Sequence, residues 1–197
     1  MTCTRNLKHS ELKKFVLIGA STGGPGQIEK IISSLNPLHY TAIVIAQHMM
    51  NGFIPSFMNR LRNSSKNNVS MADNSTIIEA GNIYICSGHT QIIKNMSQLY
   101  FLHESAPKDS YNPDINLLFS SFSGFTKDIE TMGVILTGIG EDGINGCNEL
   151  SLNGAQCITE NANAIVDGMP SRARLVIENI KVSGINEIIE TIREFCE

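Results

Sequence analysis

The chain has 197 residues, of which 42% are hydrophobic and 17% are charged, and its formal net charge is −4 at pH 7. That length and hydrophobic content are typical of one folded domain with a substantial core, and they exclude a wholly disordered chain. The acidic excess, and the lack of any Lys/Arg run longer than Lys13 and Lys14, argue against a nucleic-acid partner.

The cysteines and the N-terminus indicate the cellular compartment of the protein. The five cysteines are scattered and form no C-x-x-C pair, as expected for a reducing compartment and not for a disulfide framework or a metal site. Residues 1–14 are polar and lack the apolar segment of a signal peptide, and no apolar run approaches the ~20 residues that span a bilayer. We therefore predict a cytoplasmic protein without membrane insertion. The sequence sets no oligomeric state, and a monomer is the default expectation.

The first third of the chain alternates strand and helix patterns. Wholly apolar runs predict buried strands, and apolar residues at helical spacing predict amphipathic helices. This order is typical of a doubly wound, mostly parallel α/β sheet flanked by helices, as in Rossmann-like folds. The predicted elements are a strand at 15–19, a helix at 25–35, a strand at 41–46 and a helix at 54–61.

The middle of the chain differs in pattern, and the α/β alternation returns after it. Short β-rich runs at 83–85, 91–93 and 99–101 predict antiparallel hairpins, inserted into the main sheet or added at its edge. No repeat or linker interrupts the chain, so we predict an N-terminal extension at 1–14 and one domain at 15–197. The later predicted elements are a helix after Pro113, strands at 133–137 and 155–159, and helices at 144–152, 171–178 and 186–195.

Three predicted strand ends carry groups suited to acyl transfer. Ser21 lies in a G-x-S-x-G turn between a strand and a helix, which exposes a hydroxyl beside backbone N–H groups. The same turn would also suit a phosphate cradle or a tight connection without a nucleophile. His48 follows the second strand, and histidine readily takes up and releases a proton near neutral pH. A structural hydrogen-bonding role is its alternative; His89 is the other histidine that stays a candidate.

The third strand end is a glycine-rich loop that contains Asp142. A carboxylate there could accept the second N–H of the histidine and fix its tautomer. Asp142 could instead cap the helix predicted at 144–152, and Glu141 is a rival for the acidic role. The chain order Ser, His, Asp differs from the Ser, Asp, His order of α/β-hydrolases.

At these residues the sequence resembles the catalytic domain of the chemotaxis protein-glutamate methylesterases, the CheB family. Short motifs carry the resemblance, and they occur in order from residue 15 to about 180. They are IGASTGGP at 18–25, QHM at 47–49 with GF at 52–53, AGNIY at 80–84, NP at 112–113 with LF at 118–119, VILTG at 134–138, DG at 142–143 and GMP at 168–170.

The resemblance implies a serine hydrolase that cleaves glutamyl methyl esters on the cytoplasmic helices of chemoreceptors, releasing methanol, and that also deamidates receptor glutamines. It implies Ser21 as nucleophile, His48 as general base and then acid, and Asp142 as the orienting carboxylate. It implies no metal or organic cofactor. The oxyanion and substrate contacts that it implies are Thr22, Gly23, Ile139, Gly140 and Met169.

The sequence departs from the family pattern in three ways. Only about fourteen residues precede the first predicted strand, whereas the family usually carries an N-terminal receiver domain. Ile139 replaces the methionine of a T-G-M-G loop. Residues 111–116 read YNPDIN where the family usually reads H-R-P-S-V-D, which removes a positive charge and moves the acid. We expect these changes to affect pocket shape and substrate recognition.

Two alternatives remain open at this stage. The turn at 19–24 is also similar to the glycine turn of short-chain dehydrogenases, which would imply NAD(P) binding. Pro25 stands where that pattern requires a glycine, and none of the four tyrosines has a lysine four residues later. The other alternative is a relative that binds receptors without hydrolysing them.

Overall fold

A parallel sheet with helices on both faces organises the chain. The computed structural model describes residues 11–108 and 110–197, and within these ranges seven strands form one parallel sheet in the order β3-β4-β2-β1-β7-β8-β9, while β5 and β6 form a separate antiparallel pair. The strands are β1 Lys14–Ala20, β2 Thr41–Gln47, β3 Asn68–Met71, β4 Asn82–Ile85, β5 His89–Asn95, β6 Gln98–Glu104, β7 Glu130–Ile135, β8 Gln156–Glu160 and β9 Lys181–Ser183.

The two faces of the sheet carry separate cores. Alternate residues of β1 point to opposite faces, so Phe15 and Leu17 pack in one core and Val16 and Ile18 in the other. The first core includes residues of α3, α4 and α5, and the second includes residues of α1, α2 and α6. The predicted doubly wound fold is confirmed. The helices are α1 Gly24–Ser34, α2 Ile54–Ser64, α3 Ile115–Phe122, α4 Ile144–Leu152, α5 Gly168–Val176 and α6 Ile185–Cys196.

The middle of the chain corrects one prediction. Residues 91–93 and 99–101 do lie in an antiparallel hairpin, β5 with β6. Residues 83–85 do not: they form β4, which pairs in parallel with β2 and β3 inside the main sheet. The physical reason is burial, because Ile83, Tyr84 and Ile85 are covered on both faces. A hairpin strand with one solvated face would alternate between buried and exposed residues.

Other boundaries differ by a few residues. The strand predicted at 133–137 is β7, Glu130–Ile135, and the helix predicted from residue 171 begins at Gly168. The short edge strands β3 and β9 were not predicted. The predicted extension at 1–14 lies mostly outside the described residues, and its boundary stays a prediction. Among the described helices, none has the length and apolar character needed to cross a bilayer.

The sheet topology sets where the functional loops meet. β1 pairs with β2 on one side and with β7 on the other, so the strand order reverses direction at β1. In open α/β sheets, ligands bind at the carboxyl ends of the strands at such a switch point. Ala20 is in register with Gln47, and Gly19 is in register with Ile135. The residues that follow these three strands therefore share one edge of the sheet.

Candidate active site

Ser21 lies on a tight turn between β1 and α1. Its backbone is fixed on both sides, because its N–H donates to the Thr137 carbonyl at 2.9 Å and its carbonyl accepts from Gln47 Nε2 at 2.8 Å. The turn requires glycine at two positions. Gly23 has a φ of 87°, and a Cβ on Gly24 would lie 2.1 Å from Gln47 Oε1. The strand ends therefore define the position of the serine before any substrate binds.

His48 and Asp142 form a short hydrogen bond. His48 Nε2 lies 2.7 Å from Asp142 Oδ2, and the two side chains are 14% and 1% exposed. An ionised carboxylate accepts, so the proton of a neutral His48 sits on Nε2 and leaves Nδ1 as an acceptor. The His48 backbone N–H donates to the Ala20 carbonyl at 2.9 Å, which places the histidine next to the serine turn.

Asp142 also stabilises the N-terminus of a helix, but that helix is α3 and not α4. The alternative role for this residue was to cap α4, but the residue before α4 is Gly143, and α4 has no side-chain cap. Asp142 instead accepts two backbone N–H groups of α3: Ile115 N at 2.9 Å from Oδ2 and Asn116 N at 3.0 Å from Oδ1. The N-terminus of a helix favours a negative charge, so α3 stabilises the carboxylate that holds His48.

The rival residues lie elsewhere. The Glu141 carboxylate pairs with Arg172 at 3.2 Å, and both side chains are more than half exposed. His89 faces Asp114 at 3.9 Å. Among the described residues, neither side chain is hydrogen-bonded to Ser21 or His48, whereas Asp142 contacts His48 directly. Among the residues that the structure describes, no group of three or more His, Cys, Asp or Glu side chains could hold a metal ion.

The Ser21 hydroxyl is not hydrogen-bonded to this pair. It forms no hydrogen bond with any described residue. Ser21 and His48 follow neighbouring residues of adjacent strands, since Ala20 is in register with Gln47. Rotation about the single Cα–Cβ bond of the serine moves its hydroxyl, and such hydrogen bonds often form only when substrate is bound. The structure thus brings together His48 and Asp142 by contact, and Ser21 by position.

The loop that follows β7 contacts the serine turn through Gly138. A Cβ on Gly138 would lie 2.7 Å from Ser21 Cβ and 2.3 Å from Met169 Sδ, so the loop after β7 packs directly against the serine. Met169 is buried, and its N–H donates to the Gly138 carbonyl at 2.8 Å. Within residues 11–108 and 110–197, the backbone N–H groups of Thr22 and Gly140 donate to no acceptor. These donors remain available to a ligand.

The remaining predicted contacts differ in exposure. The Ile139 side chain is 65% exposed at the rim, and Gly23 lies within the serine turn. The isoleucine that stands at 139 in place of the usual methionine therefore changes an exposed side chain and not a core contact.

Two supporting side chains were missed by sequence reasoning. Thr137 Oγ1 donates to the Thr22 carbonyl at 2.9 Å and accepts from Val166 N at 2.8 Å, which ties the serine turn to the chain before α5. Glu160 is buried and accepts from Thr137 N at 2.6 Å and from Gln27 Nε2 at 2.7 Å. Burial raises the pKa of Glu160. No motif marks Glu160, because its contacts come from segments far apart in sequence.

A third missed residue is Tyr111, whose ring stacks on the imidazole of His48. The ring centroids are 5.0 Å apart and the ring planes differ by 6°. Sequence reasoning singled out residues 111–116 only as a departure from a family pattern. An aromatic residue in that segment was a visible signal, but its contact with His48 depends on how the chain returns to the site.

Fold and site together define a class: a doubly wound α/β protein with serine, histidine and aspartate side chains at the carboxyl edge of its parallel sheet. The comparisons with known proteins narrow this class. The chain belongs to the CheB methylesterase family, whose sequence model matches residues 16–192. The predicted resemblance is confirmed, and the dehydrogenase alternative is not favoured.

Individual relatives and a solved structure agree with the family. The chain is 32% identical over 187 residues to the protein-glutamate methylesterase/protein-glutamine glutaminase of Thiobacillus denitrificans, covering 93% of this chain and 52% of the relative. It is 37% identical over 176 residues to the protein of the same name from Oceanobacillus iheyensis, covering 86% and 50%. The chain thus spans about half the length of these relatives.

The solved structure is the catalytic domain of the Thermotoga maritima CheB methylesterase. It is 28% identical to this chain, with a TM-score of 0.83, and the match covers 92% of this chain and 98% of that domain. The described fold is therefore that of a CheB catalytic domain.

Proposed function

We propose that the chain is a serine hydrolase that removes methyl esters from methylated glutamate side chains of chemoreceptors and releases methanol. The observation that carries the proposal is the 2.7 Å hydrogen bond between His48 and Asp142, next to the serine turn. The names of the relatives, protein-glutamate methylesterase/protein-glutamine glutaminase, supply the substrate class. The proposed substrate lies on the cytoplasmic part of a receptor, so we also propose that the enzyme acts in the cytoplasm.

The first half of the reaction forms an acyl-enzyme. His48 Nδ1 takes the proton of the Ser21 hydroxyl as the serine oxygen attacks the ester carbon. Asp142 remains ionised and stabilises the imidazolium. The backbone N–H groups of Thr22 and Gly140 donate to the tetrahedral oxyanion. The carbon–oxygen bond to the methoxy group then breaks, and the leaving methoxy oxygen takes the proton from His48 to become methanol.

The second half regenerates the enzyme. A water molecule gives a proton to His48 as its oxygen attacks the acyl carbon. The bond to the Ser21 oxygen breaks, Ser21 regains its proton from His48, and a free glutamate is released. Deamidation of a receptor glutamine follows the same path, with ammonia as the leaving group, and we propose it as a second activity because the relatives are also named protein-glutamine glutaminases.

Methanol release from receptor membranes that carry labelled methyl groups tests the proposal. Ser21→Ala, His48→Gln and Asp142→Asn should each lower the rate by on the order of 10⁴-fold or more. Matched controls are Ser97→Ala and His39→Gln, which change exposed residues away from the site and should leave the rate unchanged. Unchanged release by Ser21→Ala would refute the nucleophile. Receptor binding without any methanol release by the wild type would favour the non-catalytic alternative instead.

A further inference from the structure

The imidazole of His48 is held at its edge by Asp142 and on its face by Tyr111. The hydrogen bond to Asp142 fixes one ring atom, Nε2, but it leaves the ring plane free to tilt about that contact. The Tyr111 ring lies nearly parallel to the imidazole, at a centroid distance of 5.0 Å and an angle of 6°. A stack of this kind restricts the tilt, because tilting the imidazole would separate the two faces.

Tyr111 is 47% exposed, but the chain around it is anchored. Asn112 Nδ2 donates to Asn51 Oδ1 at 2.8 Å, and the Asn112 carbonyl accepts from Met49 N at 3.1 Å. The segment is thus tied to the residues that directly follow His48. Its other end is tied to Asp142 through the N-terminus of α3. Hydrogen bonds therefore fix the position of this segment relative to both His48 and Asp142.

The ring, and not the hydroxyl, makes the contact with the site. Among the described residues, the Tyr111 hydroxyl forms no hydrogen bond, and it lies 3.5 Å from the point where a Cβ on Gly140 would stand. The ring therefore extends from His48 toward the loop that offers the Gly140 N–H. A phenylalanine at this position would keep the stack and lose only the free hydroxyl.

We propose that Tyr111 is a positioning residue for His48. Its ring holds the imidazole plane so that Nδ1 faces Ser21, and its π face favours the imidazolium that forms when the serine proton is transferred. Asp142 supplies the negative partner at the opposite edge, and the neighbouring Glu141 carboxylate is paired with Arg172 of α5. This role rests on the proposed function, because it concerns the proton transfer of that reaction.

The test compares three variants in methanol release and in NMR spectra of the His48 ring. Tyr111→Leu removes the ring and should lower kcat about threefold to tenfold, with KM within about twofold. Tyr111→Phe keeps the stack and should recover most of the kcat. Tyr40→Leu is the matched control, since Tyr40 is 48% exposed and lies against Lys13, away from the site. In Tyr111→Leu the His48 ring protons should lose the upfield shift that a stacked aromatic ring causes, and in Tyr111→Phe they should retain it.

The outcomes separate this inference from the function on which it rests. A Tyr111→Leu variant with unchanged kcat overturns the positioning role, as does a rise in KM alone, which would make Tyr111 a substrate contact. A loss in Tyr111→Phe equal to that in Tyr111→Leu assigns the effect to the hydroxyl and also overturns it. If the wild type releases no methanol, the proposed function fails. The NMR comparison still decides whether the Tyr111 ring stacks on His48, because it needs no activity.

Discussion

Replacement of Asp142 by asparagine tests the central contact of the site. The carboxylate accepts three hydrogen bonds, from His48 Nε2 and from the backbone N–H groups of Ile115 and Asn116. Asparagine offers one oxygen and one NH2 group in the same space. If the NH2 group takes the Oδ1 position, it faces the Asn116 N–H, and a partly buried donor loses its acceptor.

The other orientation has a different consequence. If the NH2 group takes the Oδ2 position, it faces Nε2, and His48 must then carry its proton on Nδ1. That is the nitrogen which has to accept the proton of Ser21, so the base is lost. We therefore expect an activity loss of about 10⁴-fold, as for the corresponding aspartate in a dissected serine protease. The same orientation also leaves the Ile115 N–H without an acceptor, so either orientation should cost about 1–3 kcal/mol of stability.

Urea unfolding followed by circular dichroism, together with methanol release, measures both effects. A loss of about 1–3 kcal/mol leaves most domains folded at 25 °C, since their total stability is about 5–15 kcal/mol. The control is Asp128→Asn at an exposed turn, which should change stability by less than about 0.5 kcal/mol. Retention of activity within tenfold by a folded Asp142→Asn variant would refute the reasoning. One orientation of the amide removes the free Nδ1, and the other places a neutral oxygen where the carboxylate stabilises the imidazolium.

Two further predictions concern stability. Burial raises the pKa of Glu160, so the folded chain holds this proton to higher pH than the unfolded chain, and the stability linked to it is lost as pH rises through the raised pKa. Glu160→Gln cannot ionise, so the Tm of this variant minus the Tm of the wild type should increase as the pH is raised from 5 to 8. A Tm difference that does not vary with pH would contradict this. Gly24→Ala places a Cβ 2.1 Å from Gln47 Oε1 and should lose about 1–3 kcal/mol, whereas Gly26→Ala meets no atom within 4 Å and should gain up to about 1 kcal/mol, both measured by urea unfolding. Equal stability of these two variants would show that the turn is not tightly packed.

The central strands could be predicted because burial on both faces leaves a strong signal. β1 and β2 are continuous apolar runs, and their parallel pairing follows from the helix between them. Once the sheet is parallel, the ends of its strands must meet at one edge. The grouping of Ser21, His48 and Asp142 at that edge is thus a consequence of topology, and sequence reasoning could reach it without coordinates.

The outer strands could not be predicted, because their pairing is not local. β3 has four residues, and only Val69 among them is buried, so its alternation resembles that of many surface loops. Its partner β4 lies ten residues further along the chain, after an irregular stretch. A short polar strand at the edge of a sheet is specified by the neighbour that it pairs with and not by its own composition.

The side chains that support the site could not be predicted, for a similar reason. Tyr111 reaches His48 and Glu160 reaches Thr137 across sequence separations that no local pattern encodes. Only the fold brings these groups together. The sequence could therefore predict which groups meet at this edge of the sheet, but not which groups support them.

The departures in residues 111–116 are best understood through the hydrogen bonds that this segment makes. Asp114 stands at the serine of the usual family pattern and accepts from Leu117 N at 2.8 Å, and aspartate and serine are both good helix N-caps. Asn116 stands at the usual aspartate and accepts from Gly146 N at 3.0 Å through Oδ1, as a carboxylate oxygen would. These two changes preserve the acceptors that join α3 to its own first turn and to α4. Within this segment the changes in chemistry thus fall at its start, where Tyr111 faces His48, and we expect any effect of the segment on catalysis to originate there.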